Sequence, residues 1–571
     1  MRWNHSPAHA PSVETLARAL GVHRAVAELL VRNGLTAADA AADFLQPKLA
    51  GVRDPFELPV LDRAVDRLLL ALERRESIVI LGDYDVDGVS STALLVDVLR
   101  RLGLAPRYIV PLRAEDGYGL TMSAIERALE GGVPGLFISL DCGTNSAAEI
   151  TALRARGCDV LIIDHHRAKE APAVDAILLN PHVSCAPGSE LTLLCTVGLV
   201  FKLVHGLLKR LRAAGHVAAQ EIRPRDYLDF VALGTIADLV PLRGENRIFA
   251  RHGLQVLAET RRPGLQALMS VSGLKPEIGL APTDISYRLG PRINASGRLA
   301  DAAVSVDLLL SDDWTFCRRT AQQLELLNRE RQEIERQITE LAEEQVATTQ
   351  ADARGLVLFH EEWHPGVVGI VAGRISRKYN RPAIVLGNEG DTAKGSGRGL
   401  PGYNLVEILG ECRDCLETWG GHPMAVGVSL AKARVGEFQR RFDEIIRARH
   451  ADADLEPLLD VTAWIDGTDV REGFMEQVEQ LQPFGQGNAE PTFAIRGLRL
   501  RQIDVFKEVH FRFQAEDARG RRISGVAWKM AQHLPPSGEP LELAAQLNWN
   551  HFNGNRTLQL ELIDWRKPAS A

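Results

Sequence analysis

The sequence predicts an α/β multidomain protein in which a parallel-sheet domain and a second α/β domain are joined by a long helix and followed by a C-terminal β-barrel. Three observations lead to this fold class. The chain of 571 residues is longer than one hydrophobic core usually supports. Apolar, β-rich runs alternate with helical patterns from about residue 76, as they do in parallel sheets. Short strands of alternating polarity follow from about residue 465, which is typical of a small barrel.

Five parts are expected along the chain: an N-terminal helical extension at 1–55, a first α/β domain at 56–240, a helical region with the connecting helix at 241–350, a second α/β domain at 351–455 and the barrel at 460–571. The strands of the first domain are predicted in SIVILGDYD, APRYIVPLR, PGLFISLDCG, DVLIIDHH and AILLNP. Because these strands are apolar along their whole length, we expect helices on both faces of the sheet.

The middle of the chain is predicted to be helical. Residues 191 to about 315 are mostly helical in pattern, and DYLDFVALGTIADLVPL reads as a helix that ends near Asp238. Residues 316–348 then form one long helix whose apolar positions recur by threes, fours and sevens: Leu324, Leu327, Ile334, Ile338 and Leu341. This stripe fits either a coiled-coil seam or a connector between two lobes. A second α/β unit opens with GLVLFHEEWHPGVVGIVAGRI.

Composition narrows the class of protein. The N-terminal segment lacks the pattern of a signal peptide and no run of about 18 apolar residues occurs, so we expect a cytoplasmic protein without a membrane partner. The seven cysteines are odd in number and scattered, which indicates reduced thiols. Cys412 and Cys415 have CxxC spacing, but no matching second pair is present, so a structural role is favoured over zinc. The net charge of −8 is uninformative about nucleic acid, whose binding depends on local grooves.

Acidic and imidazole side chains follow three predicted strands of the first domain: Asp83, Asp85, Asp87, Asp141, Asp164, His165 and His166. Alone, each motif is commonly structural, since a DxD often caps a helix and a histidine pair often only packs. Together they lie where the carboxyl ends of parallel strands converge. Oxygen ligands favour Mg²⁺ or Mn²⁺, and an imidazole tilts the choice towards Mn²⁺ without excluding Mg²⁺.

The predicted chemistry is phosphoester hydrolysis. Carboxylates crowded at one sheet edge repel one another unless cations lie among them. A carboxylate shared by two cations about 3.5–4 Å apart would let one cation activate water while the other steadies the leaving oxygen.

The motifs resemble a known superfamily. GDYDVDG, SLDCG, IDHH and GTIADLVPL, in this order, resemble the four motifs of the DHH phosphoesterases. WHPGVVGIVAGRI, KGSGRG and GGHPMAVG resemble the partner domain called DHHA1. With GPRINASGR and PFGQGN, the set from about residue 50 to 571 is similar to the bacterial branch of single-strand-specific exonucleases that digest DNA from the 5′ end.

The resemblance implies a role for each matching side chain. It makes Asp85 a ligand of one ion, makes Asp141 the bridge, and gives the other ion Asp87, His165 and Asp238. His166 would contact the scissile phosphate or orient its neighbour, and Asp83 would support the ligands from behind. Some superfamily members have histidine at the position of Leu81, so this chain's first ion site is expected to be weaker or partly filled by water.

A substrate path is also implied. Ser396 and Arg398 of KGSGRG, with Arg113, would hold the 5′ phosphate, although spacing alone fits a glycine turn with a solvated arginine equally well. His422 is placed on a loop that faces the metals, with a structural histidine as the alternative.

Further basic and aromatic side chains would follow the strand. Arg292 and Arg298 are placed on a glycine-rich loop and would contact the single strand. A second basic group reads equally well as the solvated face of a helix: Arg374, Arg377, Lys378 and Arg381. In the barrel, expected to be an OB-fold, about half of the aromatic side chains should face the core and the rest could stack on bases: Phe511, Phe513, Trp528, Trp549 and Phe552.

The function expected from this set is single-stranded-DNA-specific exonuclease activity from the 5′ end to mononucleotides, with two Mn²⁺ or Mg²⁺ ions, in DNA repair and recombination. Single-stranded DNA is the expected partner, and the resemblance adds a single-strand-binding protein and a RecQ-type helicase. One alternative is a DHH phosphodiesterase of short oligonucleotides or cyclic dinucleotides, which the barrel disfavours. Another is a noncatalytic scaffold, which the complete set of carboxylates disfavours.

Overall fold

A computed structural model describes residues 1–112, 116, 119–168, 175–449, 457–552 and 554–568. The chain opens with a short strand and three helices: β1 (Arg2–Asn4), α1 (Ala10–Leu20), α2 (Arg24–Arg32) and α3 (Ala38–Leu45). The first α/β domain follows, and its sheet has the strand order β3-β2-β4-β5-β6 with every pair parallel. Its elements are α4 (Leu61–Arg74), β2 (Ile78–Gly82), α5 (Val86–Arg101), β3 (Arg107–Ile109), α6 (Met122–Leu129), β4 (Leu136–Leu140), α7 (Ala147–Ala155), β5 (Asp159–Ile163), β6 (Ile177–Leu179) and α8 (Pro181–Ser184).

Both faces of this sheet are buried, as the apolar strands predict. Ile78 and Ile80 of β2 point into one hydrophobic cluster, whereas Val79 and Leu81 point into another on the opposite face. Leu81 is fully buried there, among apolar side chains, and offers no ligand to the sheet edge.

A helical region covers one face of the sheet. Its helices are α9 (Thr196–Ala213), α10 (Val217–Glu221), α11 (Leu228–Ala237), α12 (Gly244–Ala258), α13 (Pro263–Val271), α14 (Pro282–Asp284), α15 (Gly290–Leu299) and α16 (Ala303–Leu310). Helices α9 and α11 share the larger hydrophobic core with α5. None of the helices in the described ranges is long and apolar enough to cross a membrane.

The prediction that GPRINASGR forms a loop is wrong, because this segment is helix α15. Its proline lies in the first turn, where a helix tolerates proline. Its last glycine is required by packing: a Cβ on Gly297 would lie 2.9 Å from the ring of Tyr84. The glycine therefore marks a close approach between α15 and the loop after β2.

Helix α17 (Trp314–Thr349) is the predicted long helix, and it connects two domains. Leu324 packs in the core of the first α/β domain, whereas Ile338 and Val346 pack in the core of the second. Leu341 of the predicted stripe is 40% exposed. The apolar face of α17 thus packs into two different cores, so the helix is a connector between two lobes rather than a coiled-coil seam.

The second α/β domain contains a mixed sheet of order β10-β11-β9-β8-β7, in which β7 and β8 are parallel and the other neighbours antiparallel. Its elements are β7 (Leu356–Phe359), α18 (Val368–Tyr379), β8 (Ala383–Glu389), β9 (Thr392–Arg398), α19 (Leu405–Glu411), β10 (Thr418–His422), β11 (Ala425–Ala431) and α20 (Val435–Arg449). KGSGRG, for which a glycine turn was the alternative to a phosphate-binding segment, is most of the central strand β9. A Cβ on Gly395 would lie 2.0 Å from the carbonyl oxygen of Val385, so glycine here allows strand contact rather than flexibility.

The last elements are β12 (Leu458–Asp460), β13 (Ala463–Asp466), α21 (Glu472–Glu479), β14 (Phe493–Phe506), β15 (His510–Glu516), β16 (Arg522–Ala527), β17 (Pro540–Phe552) and β18 (Asn555–Arg566). Strands pair in the order β14-β15-β16-β18-β17, and β17 returns to β14, which closes a five-stranded barrel of OB-fold type.

The N-terminal helices belong to the core of this barrel domain. Leu16 and Leu30 are buried in the same cluster as Phe493 and Leu541. Strand β1 pairs in parallel with β12, and the guanidinium of Arg32 donates to the carbonyl oxygens that precede β13. The start and the end of the described chain therefore fold as one unit.

Candidate metal centre

The loop between β2 and α5 gathers three carboxylates at one end of the sheet. Asp85 caps α5, accepting hydrogen bonds from the amides of Asp87 (3.0 Å) and Gly88 (3.1 Å). A Cβ on Gly88 would lie 2.4 Å from the carbonyl oxygen of Asp83, so glycine allows the tight turn. Ligand atoms of Asp83, Asp85 and Asp141 lie within 4.8 Å of one another.

Asp141 lies between the other acidic groups. It follows β4 with a left-handed φ of +66°, which is rare for a residue with a side chain. Its amide donates to the carbonyl oxygen of Ile163 (2.9 Å), and its Oδ1 accepts from the hydroxyl of Thr196 (2.8 Å). These two bonds hold the carboxylate at the centre of the cluster.

Asp87 joins three helices at the site. Its Oδ2 accepts from the amide of Thr196 (2.7 Å) and its Oδ1 from the amide of Val197 (2.9 Å), both in the first turn of α9. A Cβ on Gly234 of α11 would lie 2.8 Å from Oδ1 of Asp87. Helix α11 therefore reaches the carboxylate only because it carries glycine there.

His165 and Asp238 close the cluster from the other side. Nε2 of His165 lies 3.4 Å from Oδ1 of Asp141, 3.5 Å from Oδ2 of Asp238 and 4.0 Å from Oδ2 of Asp87. These contacts are not ion pairs, because burial, followed by the charge of His166, lowers the pKa of His165 to about 3. Both His165 Nε2 and Asp238 Oδ2 are buried, and neither has a hydrogen-bond partner among the described residues.

The electrostatics show that this cluster suits cations. Burial, followed by the charge of a neighbouring carboxylate, raises the pKa of Asp83 and Asp87 to about 7 and that of Asp238 to about 9. The same causes raise the pKa of Asp141 well above its usual range. Divalent cations would relieve this repulsion and satisfy the two unpartnered atoms. The donor set of carboxylates and one neutral imidazole therefore fits Mn²⁺ or Mg²⁺.

His166 is held differently from His165. Its Nδ1 lies 2.7 Å from Oδ1 of Asp164, whose Oδ2 accepts from the amide of Thr144 (3.0 Å). Burial lowers the pKa of His166, but the hydrogen bond and charge of Asp164 outweigh it and raise the pKa to about 9. The two adjacent histidines are therefore one neutral and one protonated ring at neutral pH.

Two side chains that organise the site, Thr196 and Asn180, were not predicted from the sequence. Thr196 binds Asp141 through its hydroxyl and Asp87 through its amide, and Asn180 donates to the hydroxyl of Thr144 (2.8 Å) and to the carbonyl oxygen of His166 (2.8 Å). The only signal for Thr196 is its position at the start of a strong helical pattern, and no signal marks Asn180.

Three of the expected substrate-path side chains lie where the two α/β domains meet. Ser396 and Arg398 on β9 face α18, where the Cβ position of Gly369 would be 3.1 Å from Oγ of Ser396. Burial lowers the pKa of Arg398. Arg298 of α15 reaches across to donate to the carbonyl oxygen of Gly366 (2.6 Å), just before α18.

The other side chains predicted to contact DNA lie in different parts of the structure. Arg292 is 12% exposed and pairs with Glu325 of α17 (2.7 Å), so its charge is used within the protein. His422 ends β10 rather than lying on a loop, and its charge contributes to the low pKa of His165. Arg113 lies outside the described residues. Arg374 and Lys378 lie on a face of α18, as the alternative reading of this basic group predicted. They form ion pairs with Glu335 and Glu343 of α17, each at 2.7 Å.

The aromatic side chains of the barrel divide by burial. Phe511 and Phe513 are in the core, Trp528 is 50% exposed and Trp549 is half-buried. The side chain of Phe552 lies outside the description. Trp528 packs edge-on against Phe506 and His510, next to the β14–β15 turn. Trp528 is thus the exposed aromatic side chain of this set, and it lies beside the β14–β15 turn.

The parallel sheet and its cluster of carboxylates define a phosphoesterase of the DHH class. Three family models match the chain: DHH family, N-terminal domain (77–235), DHHA1 domain (352–448) and RecJ OB domain (461–564). The chain is 37% identical over 539 residues to the single-stranded-DNA-specific exonuclease RecJ of Dickeya dadantii, covering 90% of this chain and 92% of that protein. It is 35% identical over 573 residues to RecJ of Bacillus subtilis, covering 99% and 70%. The chain belongs to the RecJ family.

Solved structures agree in fold. The crystal structure of RecJ from Thermus thermophilus in complex with Mn²⁺ has a TM-score of 0.83 at 27% identity, covering 100% of this chain and 80% of that chain. The same protein in complex with Mg²⁺ has a TM-score of 0.78 at 26% identity, covering 100% and 79%. The arrangement of sheets, connecting helix and barrel is thus shared with a RecJ protein along the whole of this chain.

Proposed function

We propose that this protein is a single-stranded-DNA-specific exonuclease that removes mononucleotides from the 5′ end by two-metal phosphodiester hydrolysis, in DNA repair and recombination. One observation carries the proposal: buried Asp87 and Asp141 lie beside half-buried His165 and Asp238, whose buried ligand atoms, His165 Nε2 and Asp238 Oδ2, have no hydrogen-bond partner among the described residues. Membership of the RecJ family supports single-stranded DNA as the substrate.

The proposed ions are Mn²⁺ or Mg²⁺, with which the Thermus thermophilus protein was crystallised. When bound, such ions supply Lewis-acid activation of water and neutralise charge that develops on the phosphate. Asp85 would hold one ion, Asp87, His165 and Asp238 the other, and Asp141 both. Asp83, buried behind them, would support the loop through its hydrogen bond from the amide of Tyr84 (2.8 Å).

His166 would act on the phosphate rather than on the ions. Because Asp164 engages Nδ1, the opposite ring nitrogen is the atom that can donate to a phosphate oxygen. Asp164 also favours the protonated ring, which suits a donor to an anion. In this assignment Asp164, Thr144 and Asn180 orient His166, while Thr196 orients Asp87 and Asp141.

The 5′ polarity would come from a phosphate pocket on the second α/β domain. Ser396 and Arg398 of β9, with Arg113, would bind the terminal phosphate at a fixed distance from the ions, so that cleavage releases one nucleotide. Arg298 and His422 would contact the next phosphates from either side of the cleft, and Arg292 would contribute if DNA displaced its bond to Glu325. A narrow entrance between the domains would exclude duplex DNA.

The proposal extends to location and partners. A DNA-degrading enzyme of this family would work in the cytoplasm of its cell, where chromosomal DNA is exposed. The family resemblance supports a single-strand-binding protein and a RecQ-type helicase as partners, because both present single strands to an exonuclease.

The test uses purified protein, Mn²⁺ and oligonucleotides of graded length labelled at the 5′ or 3′ end, single-stranded or duplex. The expected result is immediate release of the 5′ label as a mononucleotide from single strands, at a rate that rises with length. Asp141→Ala should abolish it, whereas Glu333→Gln, on the exposed face of α17, should retain it. First release of the 3′ label would overturn the polarity. Activity confined to dinucleotides would favour the alternative phosphodiesterase.

A further inference from the structure

The PFGQGN segment, residues 483–488 and called here the 483–488 loop, lies in the barrel domain between α21 and β14. It contacts the chain just after Asp238 of the first α/β domain. The amide of Leu242 donates to the carbonyl oxygen of Gln486 (2.8 Å), and Nε of Arg243 donates to the carbonyl oxygen of Gly487 (3.0 Å). Two domains distant in sequence are thus joined four to five residues from a proposed metal ligand.

This contact requires the glycines of the loop. Gly487 has a left-handed φ of +72°, and a Cβ there would lie 3.1 Å from Cβ of Pro241. A Cβ on Gly485 would lie 2.7 Å from Cδ1 of the buried Leu242. The loop is also internally braced, since the backbones of Gly485 and Asn488 exchange hydrogen bonds of 2.9 and 3.1 Å. A rigid, side-chain-free surface is therefore presented to Pro241 and Leu242.

Arg247 of α12 fixes the same interface one turn further on. Its side chain is 2% exposed, and its guanidinium donates to the carbonyl oxygens of Gln480 (3.2 Å) and Gln482 (2.8 Å). Nε donates to the carbonyl oxygen of Phe44 (2.7 Å), whose ring lies 3.7 Å below the guanidinium. Because this buried arginine donates to carbonyl oxygens of the barrel domain, separating the domains would leave its charge without partners. The interface is therefore stable rather than transient.

At the other end of the segment, Leu239 holds a strained backbone. It follows Asp238 with a left-handed φ of +60°, and its side chain is 63% exposed. A non-glycine residue keeps such a conformation only when its surroundings impose it. Because the exposed side chain does little packing, the constraint comes from the flanks: α11 before Asp238, and the docked Pro241–Arg243 after it.

From these contacts we infer that the 483–488 loop is a positioning element of the metal centre, which fixes Asp238 by clamping Pro241–Arg243. The inference rests on the proposed function of Asp238 as a metal ligand. It gives the barrel domain a role in holding the metal centre in place, in addition to any contact that the barrel makes with DNA.

The test is Gly487→Ala in the full chain, with Gly520→Ala as its matched control. Gly520 also lies in the barrel domain with a positive φ (+77°), but no atom lies within 4 Å of an added Cβ. Both variants place alanine at a left-handed φ, and only Gly487→Ala pushes on Pro241. Mn²⁺ binding is measured by titration calorimetry, and kcat and KM are measured on a 5′-phosphorylated trinucleotide.

Gly487→Ala is expected to weaken Mn²⁺ binding about 10-fold and to lower kcat on the trinucleotide by a similar factor, the size of effect seen when a ligand's support is lost. Gly520→Ala should match the wild type in both. Wild-type Mn²⁺ affinity in Gly487→Ala would overturn the inference.

A second variant decides the matter if Gly487→Ala does not fold. Arg243 is exposed, and Arg243→Gln removes one interdomain hydrogen bond while it keeps the glycines. It should weaken Mn²⁺ binding severalfold with little change in KM, and unchanged binding would refute the clamp. If the wild type itself neither binds Mn²⁺ nor cleaves DNA, the proposed function fails. If the wild type does both and the loop variants bind Mn²⁺ normally, only this inference fails.

Discussion

At the scale of single residues, the proposed metal centre gathers charge that the fold alone does not tolerate. Asp83, Asp87, Asp141 and Asp238 all have raised pKa values, with burial as the main cause. Because each of these carboxyl groups ionises more readily in the unfolded chain than in the folded protein, each lowers the stability of the metal-free protein at neutral pH. We infer that the binding of divalent cations offsets this loss of stability.

The destabilising effect of these carboxyl groups predicts how Asp141→Asn changes the melting temperature. The amide keeps the oxygen that accepts from the Thr196 hydroxyl but removes the carboxyl group whose ionisation burial disfavours. Without divalent ions at pH 7.5, the variant should melt at a higher temperature than the wild type. With Mn²⁺ the order should reverse, and exonuclease activity should fall at least about 100-fold. Calorimetric melting with EDTA or Mn²⁺ measures both orders. A variant that is less stable than the wild type in EDTA would contradict the electrostatic argument.

Glu490 gives a pH prediction away from the metal centre. Burial, followed by the charge of Glu561, raises its pKa from 4.5 to about 6. Between these two values the folded protein binds the proton more tightly than the unfolded chain, so this group's contribution to stability falls as pH rises from 4.5 to 6 and then stays constant. Glu490→Gln should therefore stabilise the protein by about 1 kcal/mol at pH 8, after allowance for partial exposure.

The same variant should give almost no gain at about pH 3.5, one unit below the unfolded-state pKa of 4.5, where the carboxyl is largely protonated in both states. Denaturant unfolding at the two pH values provides the measurement. Glu561→Gln serves as the paired test, because it removes the repelling charge and should reproduce part of the gain. An equal effect of Glu490→Gln at both pH values would exclude ionisation as its cause.

The positions of the acidic and imidazole side chains could be anticipated from sequence, because each follows an apolar strand and parallel strands end at one edge. Thr196 and Asn180 could not, since they act through single hydrogen bonds to groups remote in the chain. The ion pair of Arg292 with Glu325 was equally hidden, because nothing local indicates which acid lies opposite a given arginine.

At the scale of elements, helix α17 carries a buried polar network at the domain junction. Glu335 is 1% exposed and contacts Arg331 of the same helix (2.9 Å) and Arg374 of α18 (2.7 Å). Arg331 also donates to Asn328 (2.8 Å). The network joins the connecting helix to the second α/β domain by charge as well as by apolar packing.

Glu335→Ala should therefore destabilise the protein by about 3–5 kcal/mol, because it leaves a buried arginine without its counter-ion. Glu333→Ala, two residues away on the exposed face, is the control and should cause no resolvable change, since exposed pairs contribute little. Thermal melting of the two variants side by side is sufficient. Similar melting temperatures would show that water replaces the carboxylate at the junction.

Two glycine-containing segments form regular elements for the same physical reason. Glycine in GPRINASGR predicted a loop, and a glycine turn was the alternative for KGSGRG, yet Gly297 lies in a helix and Gly395 in a central strand. In both places the missing side chain makes room for a neighbour, the Tyr84 ring or the Val385 carbonyl. Local sequence cannot distinguish a glycine that permits close packing from one that permits a turn. The strongly periodic elements, such as α17 and the barrel strands, were predictable because their pattern repeats.

At the scale of the whole molecule, the N-terminal helices complete the barrel domain. Leu30 of α2 is fully buried in the core that contains Phe493 and Leu541. Periodicity predicted the helices themselves, but no pattern in a sequence identifies a packing partner so far along the chain.

This shared core predicts that Leu30→Ala acts at a distance in sequence. The cavity should cost about 2–5 kcal/mol and should loosen the barrel strands rather than the parallel sheet. Hydrogen exchange should show faster exchange in β14 and β17, with β2 and β4 unchanged. Arg18→Ala, at an exposed position of α1, is the control. Loss of protection in β2 and β4 alone would mean that α2 stabilises the first α/β domain and not the barrel domain.

The shared core also has a consequence for biosynthesis. Helices α1–α3 leave the ribosome before about 400 further residues are made, and at about 5–20 residues per second their partner strands emerge roughly 20–80 s later. During that interval the apolar faces of these helices have no barrel strands to pack against. Newly made chains are therefore open to binding by chaperones, or to mispairing with a neighbouring nascent chain, until the last strands are synthesised.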